Sequence, residues 1–434
     1  MEFDWTEEDL SYRSELRDFL AEELPGRWEG ATAVLGSADN AEYSRRFAGL
    51  LAEKGWLTPH WPTEWGGTGA TPWMLAVLGE ELWSRGEPRG PQYMNVNWIG
   101  PSIMAHGTPE QCQRYLPPIA AGDVIWCQGF SEPEAGTDLA SLRTRAVLDG
   151  DDYVVNGSKI WTSYGDIADH CYLLVRTDAQ AERHLGISVL LMAMDSPGLV
   201  VRPIPGMVGE HSFTELFLTD VRIPVANRLG PENEGWSVVR EALSFERVGA
   251  PRWARAAHVL DETVRDAMEQ GRSIDPVTVE AVGVAKTACE AARMLCYRVI
   301  DERARDLPPS PHANVARVAM VQAERLVADA CAALQGNEIM RYGSDSDLQM
   351  RKSLAAGVAA GTYEVQLNLV SRRHLRLPKN LPWTSLSTPT RKQCSRRYGR
   401  CCHAMAAPHG CMTSAATNPA TTTTSTSAWP RRAS

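Results

Sequence analysis

Two polar segments of this 434-residue sequence have residue types and a spacing suited to holding a flat aromatic ligand. The first, Gln128–Asp138, reads as a turn rich in hydroxyl groups and glycine. The second, Lys159–Ser163, is the end of a predicted strand, in which Trp161 is followed by two hydroxyl side chains, Thr162 and Ser163. Backbone amides and hydroxyls can bind the edge of a heteroaromatic ring while an indole covers its face. The spacing alone therefore predicts a ring-binding site, with an ordinary surface loop as the alternative.

Three regions of different hydrophobic periodicity must position these segments. From residue 7 to about 120, and again from about 232 to 376, apolar residues recur at helical spacing. Between about 124 and 225 the period is two, with turn residues between short β-rich runs, which predicts a small barrel or sandwich. The pairs Asp149-Gly150 and Asn156-Gly157 each predict a hairpin turn. The fold class is therefore mainly α with a central β domain.

The predicted boundaries follow these changes of period. We expect an N-terminal helical domain over 1–122, a β domain over 123–230 and a helical bundle over 231–378. Within the bundle, long amphipathic helices are predicted over Trp236–Arg247, Val277–Arg303 and Ala313–Leu334. The segment 379–434 has no periodicity and fits no common zinc-site spacing. It is either a disordered appendage or an out-of-frame reading of a GC-rich gene, and it is assigned no function.

Composition excludes several classes of protein. The hydrophobic content of 44% and charged content of 22% are those of an ordinary globular protein. Eight of the 44 basic residues and none of the 53 acidic ones lie in 379–434, so 1–378 carries a net charge of −17. An acidic body argues against nucleic acid as a partner. The sequence shows neither a secretory signal nor an apolar run long enough to span a bilayer, so a cytoplasmic location is expected.

A resemblance to a known family sharpens the ring-binding prediction. The runs Phe130–Asp138 and Asp149–Ser163 resemble the signature of acyl-CoA dehydrogenases. The resemblance covers essentially all of 1–378 in order, continuing through Glu234-Gly-Trp236, Phe245-Glu-Arg247 and Ala360–Gln366. It implies an N-terminal helical domain, a middle β-barrel and a C-terminal four-helix bundle. It also implies FAD as the cofactor, an acyl-CoA substrate, an electron-transfer flavoprotein as acceptor, and an assembly of at least two subunits, usually a dimer of dimers.

The resemblance assigns three groups of cofactor-binding residues. The isoalloxazine ring would be met by Ser131 and by Ser163 near N5, with Trp161 packed on it and Gln128, Phe130 and Thr162 lining it. Thr137 would approach a flavin or substrate phosphate. Gly361, Thr362 and Glu364 would meet the adenosine end of FAD. In the family the remaining dinucleotide contacts come from a neighbouring subunit, and by position these residues are Arg272 and Gly336.

The catalytic base is expected on a helix of the bundle. Many family members carry a glutamate directly before the terminal Gly-Thr, but this chain has Ala360 there. A smaller branch, like isovaleryl- and long-chain acyl-CoA dehydrogenases, places the glutamate before an arginine, which here is Glu246-Arg247. The resemblance thus implies that Glu246 removes the α-proton while a β-hydride leaves to flavin N5. Ala360, through its backbone N–H, and Arg247 are expected to bind substrate. A solvated Glu-Arg pair is the alternative.

Departures from the family pattern leave the assembly open. The usual Arg-x-x-Phe-Gly appears as Arg272–Pro276 and the usual Gln-x-x-Gly-Gly as Ala333–Asn337, so part of the FAD motif is degraded. The chain also resembles bacterial relatives that act on steroid-derived or dicarboxylic acyl-CoA esters and pair two unlike subunits. The resemblance therefore leaves two assemblies open, a heterotetramer and a homotetramer. Two further alternatives are a non-catalytic subunit that shares FAD and an oxygen-using oxidase or flavin monooxygenase. Pro251 is expected to kink the helix after Glu246.

Overall fold

The computed structural model describes residues 5–24, 38–207, 209–240, 251–308, 310–341, 343–359 and 361–378. Residues up to Arg376 form one compact unit, and the second unit, Leu377–Ser434, lies almost wholly outside the described residues. The fold class predicted from the sequence is confirmed: helices precede and follow a central sheet. No helix in the described ranges is both long enough and apolar enough to cross a membrane.

The N-terminal helices begin at capping residues that the sequence supplies. Thr6 and Asp9 form a capping box at the start of the first helix, and Thr108 and Gln111 form another at the sixth. Gly122 ends the sixth helix with a φ of 79°. These helices are α1 (Glu7–Glu23), α2 (Ala38–Glu53), α3 (Pro72–Ser84), α4 (Gln92–Met94), α5 (Gly100–His106) and α6 (Pro109–Ala121).

Eight strands form one sheet in the order β6-β7-β3-β2-β4-β5-β8, with β1 paired in parallel to β4. The strands are β1 (Trp126–Gly129), β2 (Arg145–Asp149), β3 (Asp152–Thr162), β4 (His170–Arg176), β5 (Ile187–Ala193), β6 (Leu199–Gly206), β7 (Gly209–Pro224) and β8 (Arg228–Leu229). Asp149-Gly150 does turn a hairpin, because Asp149 pairs with Asp152 and Gly150 has a φ of 62°.

The second predicted hairpin, at Asn156-Gly157, is wrong. Both residues lie inside β3, where the register against β7 shifts between Val155 and Gly157. A Cβ on Gly157 would stand 2.6 Å from Thr144 Oγ1 and 2.7 Å from Thr144 Cα. The glycine is therefore explained by the close approach of a neighbouring segment at a bulge, which local sequence does not reveal.

The C-terminal region is helical as predicted. Val277–Arg303 and Ala313–Leu334 lie within long helices. Of the predicted helix Trp236–Arg247, only 236–240 is described, and it is helical there. Pro251 interrupts helical structure, as expected: it is the N-cap of the helix that follows, with a ψ of 66°, while the stretch 241–250 before it lies outside the described residues. The labelled helices are α7 (Arg252–Glu269), α8 (Pro276–Ala304), α9 (His312–Gln335), α10 (Asp345–Ala355) and α11 (Tyr363–Leu369).

Three hydrophobic cores hold these elements together. The largest joins the N-terminal helices to one face of the sheet, since Leu16 and Phe47 belong to the same buried cluster as Leu174 and Leu191. The other face of the sheet has its own core around Tyr153 and Leu216. A third core lies among α7, α8 and α9. Six cysteines of the described residues are buried and form no disulfide: Cys112, Cys127, Cys171, Cys289, Cys296 and Cys331.

Candidate active site

The two polar segments singled out in the sequence lie side by side. The backbone N–H of Ile160, near the end of β3, donates to the carbonyl of Ser131 over 2.9 Å. Glu132 and Ala135 exchange a pair of backbone hydrogen bonds of 3.0 Å each, which closes the turn that follows. The loop Gln128–Asp138 is therefore joined through main-chain bonds to the strand that carries Trp161.

A buried ion pair fixes this junction, and the sequence reading missed it. Lys159 Nζ lies 2.8 Å from Glu132 Oε1 and donates to the carbonyl of Phe130 over 3.1 Å. The same carboxylate accepts from the backbone N–H groups of Arg143 at 2.6 Å and Thr144 at 2.9 Å. Burial alone would raise the pKa of Glu132, but the Lys159 charge and these hydrogen bonds outweigh it and lower the pKa. A lysine and a glutamate 27 residues apart gave no local signal of this contact.

Trp161 is presented to the outside at the end of β3. Its backbone has a φ of 60°, unusual for an aromatic residue, and its side chain is 56% exposed. The indole makes one edge-to-face contact, with Phe213 at a centroid distance of 5.8 Å. An indole held in a strained backbone conformation with its ring uncovered has the features of a stacking surface.

The other predicted ring-lining residues are placed around the start of the loop. Gln128, the residue before the end of β1, is half-buried and pairs with Tyr172 of β4. The ring of Phe130 packs on that of Tyr172 at 5.8 Å. Ser131 and Ser163 are half-buried, and Thr137 is exposed. The structure thus brings together, in one region, the residues that the sequence assigned to the isoalloxazine ring.

The side chain of Thr162 tests whether this region suits a flavin. Thr162 is fully buried, yet its hydroxyl has no hydrogen-bond partner among the described residues. This hydroxyl is closed off from the outside, so the groups that could meet a ligand here are the exposed Trp161 and the half-buried Ser131 and Ser163. The Gln128–Asp138 loop and Trp161–Ser163 are therefore compatible with a flavin ring.

Two further groups of predicted cofactor-binding residues lie in the C-terminal helical region. Arg272 Nη1 donates to the carbonyl of Gln335 over 3.1 Å, at the C-terminal end of α9, directly before Gly336. Gly336 itself is exposed, with a φ of 55°. Arg272 thus satisfies a helix C-terminus, a role that the resemblance did not suggest.

The terminal motif begins α11. Thr362 is its N-cap, accepting from Val365 N–H over 3.2 Å, and Glu364 is exposed in the first turn. Gly361 has a φ of 83°, a conformation that glycine adopts without strain, and a Cβ there would also displace the Gln366 amide, whose Nε2 would lie 2.4 Å away. The predicted base Glu246, its neighbour Arg247, and Ala360 lie outside the described residues.

A cavity of about 860 Å³ opens between α3, the start of α7, the end of α8 and the start of α9. Arg240 and Pro251, the residues on either side of the undescribed segment 241–250, both line it. Apolar walls come from Leu75, Trp253 and Val299. The volume lies in the upper part of the range of roughly 300–1,000 Å³ usual for ligand pockets.

Buried charges also line this cavity. Arg89 is bound through two nitrogens by Glu87, with bonds of 2.6 and 2.8 Å, and the two side chains are 2% and 0% exposed. Burial, and secondarily the Arg89 charge, lowers the pKa of His60 to about 4, so this imidazole is neutral at physiological pH. The sequence analysis did not identify the Glu87–Arg89 pair. The local signal that could have marked it is the run Gly-Glu-Pro-Arg-Gly between two apolar helices.

Tyr164, directly after Ser163, is buried. Burial raises the pKa of its phenol, and the charges of Tyr93 and Glu87 raise it further. Glu87 also holds Arg89, which lines the cavity.

Models of three acyl-CoA dehydrogenase domains match the chain in sequence order. The N-terminal domain matches residues 6–123, the middle domain 127–221 and the C-terminal domain 233–375. Acyl-CoA dehydrogenase FadE26 of Mycobacterium tuberculosis is 34% identical over 401 residues, which cover 87% of this chain and 99% of the relative. The chain belongs to the acyl-CoA dehydrogenase family. It is an oxidoreductase that acts on CH–CH donors, in a family that depends on flavin.

Solved structures of family members share the architecture. A structure titled "Tcur3481-Tcur3483 steroid ACAD" superposes with a TM-score of 0.81 at 30% identity, covering 88% of this acyl-CoA dehydrogenase and 100% of that chain. The ChsE4-ChsE5 complex from Mycobacterium tuberculosis gives a TM-score of 0.76 at 30% identity, with coverages of 88% and 100%. Both titles name two components.

Proposed function

We propose that this acyl-CoA dehydrogenase uses FAD to oxidise an acyl-CoA thioester to its trans-2-enoyl-CoA. The observation that carries the proposal is the exposed indole of Trp161, which stands at the end of β3 beside the Gln128–Asp138 loop. A flavin on that platform would face an acyl group held in the cavity that Arg240 and Pro251 border. When bound, FAD supplies the acceptor for the β-hydrogen and its electron pair.

The chain itself must supply the base. Glu246 lies in the ten-residue segment whose two flanking residues line the cavity, which supports its access to the acyl α-carbon. Its carboxylate would take the α-proton, and the C–H electrons would form the new double bond as the β-hydride departs. The backbone N–H of Ala360, aided by Arg247, would hydrogen-bond the thioester oxygen as negative charge develops on it.

Cofactor binding is divided among separate parts of the chain. The ring would be held by Gln128, Phe130, Ser131, Trp161, Thr162 and Ser163, with Thr137 near a phosphate. The adenosine end would be met by Gly361, Thr362 and Glu364. Arg272 and Gly336 lie at the other end of α9 from the terminal motif: Asn314, in the first turn of this 24-residue helix, bonds Gln366 over 2.6 Å. This separation supports a dinucleotide site that two subunits share.

The partner is proposed to be an unlike subunit. Arg272 already donates to the end of α9, and Asn337 replaces the second glycine of the usual motif. Both observations favour a neighbour that supplies what these positions lack. The two-component titles of the similar structures agree with a heteromer. An electron-transfer flavoprotein is proposed as the acceptor.

Anaerobic flavin bleaching tests the reaction. The protein, alone and co-expressed with candidate partner subunits, is mixed with short, long, branched and ring-bearing acyl-CoA esters. Loss of the oxidised flavin absorbance with at least one ester is expected, and absence of bleaching in every combination would refute the activity. Rapid peroxide formation on admitting air would favour an oxidase over a dehydrogenase that needs a flavoprotein acceptor.

The Glu246→Gln variant tests the base. The variant is expected to retain FAD and to lose turnover by at least about a hundredfold, since general-base catalysis contributes roughly 10²–10⁴-fold. Glu269→Gln, which changes an exposed glutamate of α7, is the matched control and should leave turnover unchanged. Substantial turnover in Glu246→Gln would contradict the assignment while leaving the reaction itself in place.

A further inference from the structure

The side chain of Lys159 ends in the interior of the protein, against the loop Gln128–Asp138. It is 0% exposed, and its ammonium donates to the carboxylate of Glu132 over 2.8 Å and to the carbonyl of Phe130 over 3.1 Å. The loop passes close to the lysine stem at Gly129, where a Cβ would lie 3.6 Å from Lys159 Cγ. Close packing and two hydrogen bonds together hold this ammonium in one position.

The carbonyl that Lys159 binds belongs to the peptide unit that carries the N–H of Ser131. A trans peptide is planar, so its N–H points away from its C=O, and no peptide bond of the described residues is cis. By holding the Phe130 carbonyl, the ammonium therefore fixes the direction of the Ser131 N–H, on the side away from the lysine. The carbonyl of Ser131 accepts from the N–H of Ile160 over 2.9 Å. The main chain is thus held on both sides of Ser131.

The polar groups of Ser131 are left for a ligand. Neither its N–H nor its hydroxyl makes a hydrogen bond to any described residue, and the same is true of Ser163. Both serines are half-buried, and both are close to the exposed Trp161: Ser163 follows it by two residues, and Ser131 is bonded to Ile160, directly before it. The N–H that Lys159 orients is therefore an unused donor beside a stacking surface.

The charge of Lys159 strengthens this donor as well as orienting it. Hydrogen bonds joined in a chain polarise one another, and a charge that solvent does not reach is screened little. A cation bound to the Phe130 carbonyl therefore makes the N–H of the same peptide a better donor. Glu132 neutralises the pair as a whole, but its carboxylate also faces the N–H groups of Arg143 and Thr144, away from this peptide.

A strengthened donor distinguishes the two oxidation states of a flavin. The oxidised ring is neutral, whereas reduction places negative charge on its polar edge. Hydrogen bonds to an ionised acceptor are roughly twice as strong as those between neutral groups. A donor fixed in place before reduction also needs no reorganisation when the charge appears. The arrangement at Ser131 therefore favours reduced over oxidised FAD.

We propose that Lys159 is a positioning residue for FAD: through the Phe130–Ser131 peptide it orients and strengthens the Ser131 N–H toward the polar edge of the ring, and so favours the reduced cofactor. The inference rests on the proposed function, because it takes FAD to bind at Gln128–Asp138 and Trp161–Ser163. It gives Lys159 no part in the transfer of the α-proton or the β-hydride.

The midpoint potential of the bound flavin measures this effect. The FAD-loaded protein, with a partner subunit where FAD retention requires one, is reduced anaerobically with dithionite beside a dye of known potential. The unaltered protein is compared with Lys159→Met and with a double variant that combines Lys159→Met and Glu132→Gln. Each variant should weaken binding of reduced relative to oxidised FAD by about three- to tenfold, which lowers the potential by about 15–30 mV.

The double variant separates the oriented N–H from a change in net charge. Lys159→Met leaves the Glu132 carboxylate without its counter-ion, and that charge would itself disfavour reduced FAD, whereas the double variant removes one charge of each sign. An unchanged potential in the double variant would overturn the proposal, whatever the single variant shows. If the double variant does not fold, Lys159→Gln takes its place, and an unchanged potential there would overturn the proposal equally.

A matched control excludes a merely loosened sheet. Leu190 is fully buried in the core around Tyr153 and Leu216 and contacts no part of the proposed ring site, so Leu190→Ala should lose stability but change the binding ratio less than about twofold. A shift in Leu190→Ala as large as in the Lys159 variants would overturn the proposal. The potential is measured without acyl-CoA. Failure to oxidise any ester would therefore refute the proposed reaction, whereas failure of the potential to shift would refute only the role of Lys159.

Discussion

Replacing Lys159 by methionine should destabilise the protein strongly, because it removes one member of a buried ion pair. Lys159 is fully buried and Glu132 is 8% exposed, so the carboxylate would keep a charge without its counter-ion. Breaking such a pair costs about 3–5 kcal/mol. The N–H groups of Arg143 and Thr144 continue to solvate Glu132, so we expect the lower end, about 3 kcal/mol.

Urea unfolding followed by tryptophan fluorescence measures this cost, and desalting measures flavin retention. Lys286→Met is the matched control, because Lys286 binds Asp261 at 2.7 Å with side chains 44% and 52% exposed. It should cost less than about 1 kcal/mol. Because the pKa of Glu132 is lowered in the native protein, the stability it confers is present above 4.5, its ordinary value, and is lost in acid. The Lys159→Met penalty should therefore shrink below that pH. Equal costs for the two lysine variants at pH 7 would refute the reasoning.

Three further predictions concern stability and reactivity. The pKa of His60 is lowered from 6.5 to about 4, so the free energy of unfolding should fall by about 3 kcal/mol as the pH is lowered from 6.5 to 4. In His60→Gln the free energy of unfolding should depend less on pH between these values, and an unchanged dependence would exclude His60 as the cause. Gly157→Ala should lower the free energy of unfolding by about 2–4 kcal/mol, measured in urea, because its Cβ would collide with the Thr144 backbone; a neutral change would contradict the bulge geometry. Burial raises the pKa of Cys289 to about 12, so iodoacetamide at pH 8 should leave this thiol unmodified until urea is added; mass mapping of the peptide that contains Cys289 measures this, and modification without urea would contradict it.

Hydrophobic periodicity and turn residues were sufficient to predict most secondary-structure elements of the fold. The long helices around Cys289 and Met320 and the hairpin at Gly150 are local features, set by residues close together in sequence. Asn156-Gly157 was misread because the same dipeptide serves a turn or a bulge. The choice between them depends on Thr144, which lies on another segment.

The ring-binding residues could be named from the sequence because they fall in two short runs. The contacts that hold those runs together could not, since they join residues distant along the chain and depend on burial. Lys159 and Glu132 are 27 positions apart, and nothing in either run marks the pair as buried. The cavity could not be predicted from the sequence either, because it forms where α3 and α8 pack together, and Arg89 borders it there.

The shared core of the N-terminal helices and the sheet limits how this protein can be divided. The family-domain ranges 6–123 and 127–221 suggest two exchangeable modules with a cut near residue 125. Such a cut would leave Leu16 and Phe47 on one fragment and Leu174 and Leu191 on the other, each exposing apolar surface that the other had covered. Excised alone, either fragment should aggregate. A cut at the junction with the bundle would also uncover apolar surface, because Trp5 and Trp73 pack against the α7–α9 core.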